Sequence, residues 1–314
     1  MERDGLIQEI AGQLAKTGFF VSEPQLIRGQ SFDLVARRDD TLLLVKVLQN
    51  VDAFSREAAE ELKLVALTLK GTPLLVGTRS GAGPLEPGVL YSRFGVPIVS
   101  GDTLKDFLLD GVPPFVFSAP GGLYVHLDGD LLREMRDSGQ VSVGKLAEMA
   151  GVSRRTVQMY FEGMAATVDV AMRLEDFLGV PIVVPVDPFL KPPDKAELTT
   201  SWNLFERFEN EIFRKLETLG FSVLPTAHSP FEAFAATQGP DGLYVTGVGN
   251  AGEDVHEKAE IVAEISRVAE RDFVIFLERR SLSLTRGTPV INKEDLRKLR
   301  VRQDLDELIE ERKK

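Results

Sequence analysis

The chain resembles itself, and no other feature limits its possible folds as strongly. The segment EIAGQLAKTGFFV (Glu9 to Val21) lines up with EIFRKLETLGFSV (Glu211 to Val223). SFDLVARRDDTLLLVKVLQN then matches PFEAFAATQGPDGLYVTGVGN with a one-residue gap, ending on Asn50 and Asn250. Glu57, Ala59 and Glu60 recur as Glu257, Ala259 and Glu260 inside a helical pattern, TPLLVGTR (Thr72 to Arg79) as DFVIFLER, and GVPIV (Gly95 to Val99) as GTPVI. Collinear matches of this kind predict two copies of one α/β unit. In each, an amphipathic helix stops at a glycine, Gly18 or Gly220. Three short strands, a long helix and a fully apolar strand follow, then a last short strand and a Leu-rich helix. A strand–helix–strand crossover implies a parallel pair, so each sheet is expected to be mixed.

Between the copies lies a helical insert, Asp128 to Leu178, framed by GVPPFVFSAPGG and VPIVVPVDPFLKPPDK. The second frame reads as a semi-extended linker. The expected domains are therefore 1–118, 119–186, a linker over 187–200, and 201–314. This is a mixed-sheet α/β fold in two copies with an all-α domain between them.

The insert carries SVGKLAEMAGVSRRTVQMYFEGM. Ser142 can cap a helix whose apolar face is Val143, Leu146, Ala147 and Met149. Gly151 permits a left-handed turn, Val152 can plug the space between helices, and Ser153 caps the helix Arg154 to Phe161. Helices at Leu131–Arg136 and Val168–Leu178 complete the unit. This pattern resembles the lambda-repressor-like (Cro-type) DNA-binding domains over about 55 residues. The resemblance implies that the second helix of the motif enters the major groove of double-stranded DNA. Arg154, Arg155 and Gln158 would read bases there, with Ser153 and Met159 alongside. Gln140 and Ser142 would contact phosphate, and Lys145 and Arg133 would add charge. The family's usual Glu near the end of that helix is here Phe161, with Glu162 one place later. Two half-sites imply a homodimer.

Charge limits what such a head can do. The whole chain carries −11, and residues 128–180 hold six Lys/Arg against nine Asp/Glu. Affinity for DNA must rest on a few placed cations, because the body repels phosphate. A protein-interaction adaptor of the same fold is the competing reading. With no cysteine there can be no disulfide, no thiolate nucleophile and no Cys-ligated zinc. The N-terminus has no signal-peptide pattern, and no apolar run approaches the roughly 20 residues of a membrane span. The expected location is the cytoplasm, away from membranes.

The flanking order of helix, three strands, helix and strand resembles the restriction-endonuclease-like fold shared with archaeal Holliday-junction resolvases. That resemblance implies an Asp ending one strand, a Glu-x-Lys on the next and a Glu from the first helix, together holding Mg²⁺ and positioning water. Glu9, Asp33 and Lys46 occupy three of these places, but the Glu of Glu-x-Lys is Leu44. In the second copy Glu232, Tyr244 and Thr246 stand in for Asp, Glu and Lys. The copies are read as degenerate, with Asp33 and Lys46 an ordinary ion pair between strands; no catalytic role is expected, and a nuclease is the alternative. The whole arrangement resembles a family of archaeal transcriptional regulators with a Cro-type domain.

Other signals carry less. Gly247-Val-Gly-Asn-Ala-Gly252 matches a dinucleotide fingerprint, but after the third strand of its unit, where the fingerprint does not belong. It is read as a turn, and no cofactor is expected. GAGPLEPG (Gly81 to Gly88) is a loop with no helix behind it. His126, His228 and His256 lack ligand spacing, so no metal is expected. Trp202, Phe205 and Phe208 form a helical stripe read as core. The tail from Glu294 reads as a helix that docks, dimerises or is solvated. No small-molecule effector is legible.

Overall fold

The computed structural model describes residues 2–25, 29–190, 207–237, 242–249, 255–278 and 287–313. The chain divides into two compact units. One comprises Met1–Leu6, Val47–Ser55 and Pro73–Pro192, and the other Ile7–Lys46, Arg56–Thr72 and Pro193–Lys314.

The first copy opens with α1 (Arg3–Lys16), whose Leu6, Ile7, Ile10 and Leu14 share one face and are buried. Gly18, at φ 85°, ends that turn. β1 (Phe20–Val21), β2 (Leu34–Arg38) and β3 (Thr41–Asn50) pair antiparallel in that order. β3 is buried on both faces from Leu42 to Val47, as its near-continuous apolar run requires. α2 (Arg56–Leu69) leads to β4 (Thr72–Ser80), which runs parallel to β7 (Val96–Ser100). Two strands fall between them, β5 (Gly83–Pro84) on β4 and β6 (Val89–Arg93) on β7. The glycine-rich segment read as a loop thus includes a two-residue strand. α3 (Gly101–Lys105) and a π-helical turn, Asp106–Asp110, close this copy.

β8 (Val116–Ala119) pairs parallel with β6, and β9 (Gly122–Leu127) pairs antiparallel with β8. Then come α4 (Gly129–Asp137), α5 (Val143–Ala150), α6 (Arg154–Phe161), β10 (Ala166–Thr167), α7 (Val168–Leu178) and β11 (Val183–Val184). β10 and β11 both pair with β9, so the helical insert hangs from a strand of the sheet. Its core includes Val125 and Leu127 of β9 with Leu132, Leu146, Val157, Tyr160, Leu174 and Ile182.

The second copy runs α8 (Arg207–Thr218), β12 (Ser222–Pro225), β13 (Ala233–Ala236), β14 (Leu243–Gly249), α9 (Val255–Ala269), β15 (Asp272–Leu277), β16 (Val290–Asn292) and α10 (Lys293–Lys298). Its sheet order is β12-β13-β14-β15-β16, two antiparallel pairings followed by two parallel ones. The backbone repeats in detail. Positive φ recurs at Gly18 and Gly220, at Lys70 and Glu270 after the long helix, and at Gly95 and Gly287. For Lys70 and Glu270 this is an uncommon conformation, kept in both copies. The tail forms α11 (Arg302–Lys313), which docks on its own domain: Leu305 and Ile309 are buried in the core with Phe213 and Leu216.

Gly247 and Gly249 sit inside β14. A Cβ on Gly247 would come 2.6 Å from Ile275 Cδ1, and one on Gly249 2.7 Å from Leu277 Cδ2. These glycines serve tight packing of the sheet beneath α9; the rest of the fingerprint, Asn250 to Gly252, lies outside the described residues. So do Trp202 and Phe205, while Phe208 is core as expected. Among the described residues no helix is long and apolar enough to cross a membrane, and no group of three or more His, Asp or Glu is placed to hold a metal.

Candidate nucleic-acid interface

The Ser142 Oγ accepts the Lys145 N–H at 3.1 Å and starts α5. Gly151, at φ 70°, ends α5 and turns the chain, and the Ser153 Oγ accepts the Thr156 N–H at 3.1 Å to start α6. α6 buries Val157, Tyr160 and Phe161. Helical geometry then sends Arg154, Arg155 and Gln158 to the opposite arc, where all three are exposed, with Met159 half-buried beside them. No acidic residue lies in the first turn of α6, so its positive dipole end is uncompensated. The two cap serines use an oxygen lone pair inward; the Ser142 O–H remains able to donate outward. Ser153 instead shares its hydroxyl with Thr156, at 2.9 Å.

Arg154 and Arg155 diverge in setting. The Arg154 guanidinium lies against Gly144 of α5, where a Cβ would come within 3.2 Å of Nη2. Lys145 is exposed but ion-pairs with Glu148 at 3.2 Å, so its charge is partly offset. Gln140 is exposed in the turn before α5. Arg133 behaves differently from its expected phosphate role. Its guanidinium donates to the Phe161 carbonyl, closing the end of α6, and pairs with Asp130. Gly129 permits that approach, since a Cβ there would meet the Phe161 oxygen at 2.7 Å. Arg173 likewise donates to the Ala150 carbonyl at 2.7 Å and closes α5. Both arginines hold the motif together; a charge count does not separate such cations from DNA-facing ones.

The nuclease-like places are filled differently. Lys46 Nζ lies 3.0 Å from Asp33 Oδ1 and donates to the Gln30 carbonyl at 2.6 Å. Asp33 is fully buried and Lys46 is 5% exposed, with Leu44 also fully buried. Glu9 is exposed on α1 and accepts from Gln13 at 3.3 Å. In the second copy the hairpin is two residues longer: Leu34 faces Val45, whereas Ala233 faces Thr246. One step further along, Lys46 is the cross-strand neighbour of Asp33, but Glu232 faces Gly247 rather than Thr246. With no side chain there, the ammonium comes from α9. Lys258 Nζ reaches Glu232 at 2.7 Å and the Val248 carbonyl at 2.7 Å, while the Val248 N–H donates to Glu232 at 2.6 Å. Burial pushes the Glu232 carboxyl up, opposed by Lys258. The same slip gives the place of Leu44 to the buried Val245.

Comparison with known proteins finds two families along the chain. A PD-(D/E)XK superfamily domain matches residues 3–114, and a helix-turn-helix family matches residues 132–184. A protein of Halobacterium salinarum named "Putative HTH-type transcriptional regulatory protein" is 36% identical over 99% of this chain and 98% of its own. Proteins of the same name in Methanosarcina acetivorans and Methanococcoides burtonii are each 38% identical, over 100% of this chain and 98% of theirs. The chain belongs to this archaeal family. No solved structure matches it. These relatives align along 99–100% of this chain, across both matched domains. The Leu44 gap and the sealed Asp33–Lys46 pair are features of this chain's own residues.

Proposed function

We propose that this chain is a sequence-specific DNA-binding regulator of transcription that lays α6 in the major groove. The reading rests on one observation: α6 begins with an acid-free first turn and points Arg154, Arg155 and Gln158 outward. Arginine pairs bidentately with guanine O6 and N7, and glutamine with adenine N6 and N7. Ser142, Gln140 and Lys145 flank that face and hold the backbone, while Met159 offers apolar contact. The active form is a cytoplasmic homodimer whose half-sites lie about one helical turn apart. The domains act as 1–118, 119–186 with a linker over 187–200, and 201–314; the flanks arose by duplication and do not cut DNA. Loss of the second carboxylate to Leu44 and burial of Asp33 support that last point.

Selection of bound sequences from random duplex DNA tests the reading. Wild type enriches one motif; Arg154→Ala/Arg155→Ala enriches nothing, or a relaxed motif. Enrichment of the same site by both proteins, or of none by wild type, rejects it in favour of an adaptor.

A further inference from the structure

The two nuclease-like copies meet within one of the compact units, and their contacts are reciprocal. From the first copy, Glu61 of α2 accepts the Ala227 and His228 N–H groups, each at 2.9 Å, and the Ser229 hydroxyl at 2.7 Å, all in the loop after β12. From the second copy, Glu264 of α9 accepts the Glu23 N–H at 3.0 Å, in the loop after β1. Each long helix thus holds the same loop of the other copy with a carboxylate. Between these contacts the equivalent residues Phe32 and Phe231 meet each other, ring centroids 6.4 Å apart. Beside them Ser31 Oγ and Ser229 Oγ are 3.2 Å apart, and the Ser31 N–H donates to the His228 carbonyl at 2.6 Å. The reciprocity is one of elements, long helix to loop, since Glu61 aligns with Ile261 and Glu264 with Leu64; with Phe32 meeting its own equivalent, it is the pattern of an approximate twofold.

We infer that the copies form a quasi-twofold pair closed within a single chain, so that this self-complementary face accepts the chain's own second copy and not another molecule. Symmetry is broken at the rim in a way that favours this partner. Arg37 donates to the Val268 and Ala269 carbonyls at 3.0 and 3.1 Å and ion-pairs with Glu270 at 3.1 Å. Its equivalent in the second copy is Ala236, which can make none of these bonds. In a pair of two first copies Arg37 would meet the carbonyls of Thr68 and Leu69 but Lys70 in place of Glu270, so a like-charge contact would replace the ion pair. The two copies belong to one chain, joined through the helical insert, so their pairing is intramolecular and does not depend on protein concentration. Closure within the chain then prevails at ordinary protein concentrations. This inference rests on the two-copy fold and is independent of the DNA-binding reading.

The chain has no cysteine, so Ser31→Cys/Ser229→Cys installs its only two thiols. Oxidation of the full-length variant is expected to give a disulfide within each chain, seen as single-chain mass on a non-reducing gel and complete loss of free thiol. A chain-to-chain disulfide, or thiols that stay free, overturns the inference. Glu61→Lys gives a second reading: Tm falls by several degrees, by the same amount across a hundredfold range of concentration. A drop that shrinks as concentration rises shows pairing between chains and also overturns it.

Discussion

Asp33 is fully buried, and its carboxylate is tolerable there because Lys46 sits 3.0 Å away. Removing one partner of such a pair leaves a charge without compensation, whereas removing both often costs little. Lys46→Met is expected to destabilise the protein by about 3–5 kcal/mol, and Asp33→Asn/Lys46→Met by far less. Urea unfolding measures both, and equal losses in the two variants would show that the pair is not the unit that matters. The pair itself was readable from sequence, because both partners lie on adjacent strands at the positions that the resemblance to nucleases implies. Lys258 was not: it reaches Glu232 from a helix, after a hairpin lengthened by two residues moved Gly247 into the facing position. A linear alignment places residues by order, and the acid selects its partner by distance.

At the scale of elements, α5 and α6 were legible with their serine caps, Ser142 and Ser153, because capping chemistry is local; the short strands β10 and β11 were not, being two residues each and fixed only by β9. The tail was undecided in sequence because an amphipathic helix does not state what it covers. It covers the face that carries Tyr244, whose hydroxyl donates to Asp306 of α11 at 2.9 Å. Burial, then the Asp306 bond, raises the Tyr244 pKa far above the usual tyrosine value of about 10. The folded state therefore holds this proton more tightly than the unfolded chain does. Its contribution is complete below pH ~10 and is lost as pH rises beyond that value toward the folded pKa. Wild type should lose Tm between roughly pH 9 and pH 11.5 more steeply than Tyr244→Phe. Parallel alkaline profiles would mean that α11 is not held through this phenol.

For the molecule as a whole, the question is how a body of charge −11 holds a polyanion. Long-range attraction is unavailable, so the binding proposed above would rest on short-range contacts at one small face. That face offers Arg154, Arg155 and a Lys145 already shared with Glu148, since Arg133 and Arg173 are spent on helix ends. Each neutralised phosphate contributes about −0.9 to the slope of log K against log salt. The expected slope is thus shallow, about −2 to −3 for each recognition helix, where extensive phosphate binders reach roughly −10. Arg155 is exposed at the second position of α6, and if it splits its donors between base and backbone, Arg155→Ala flattens the slope by about 1 as well as relaxing the motif. The measurement is a titration of the selected duplex between about 50 and 200 mM salt, for wild type and variant. A steep slope that Arg155→Ala leaves unchanged would move the DNA off α6 and onto a basic surface elsewhere. A shallow one ties sequence reading to a handful of side chains, on a scaffold whose remaining charge works against every nonspecific site.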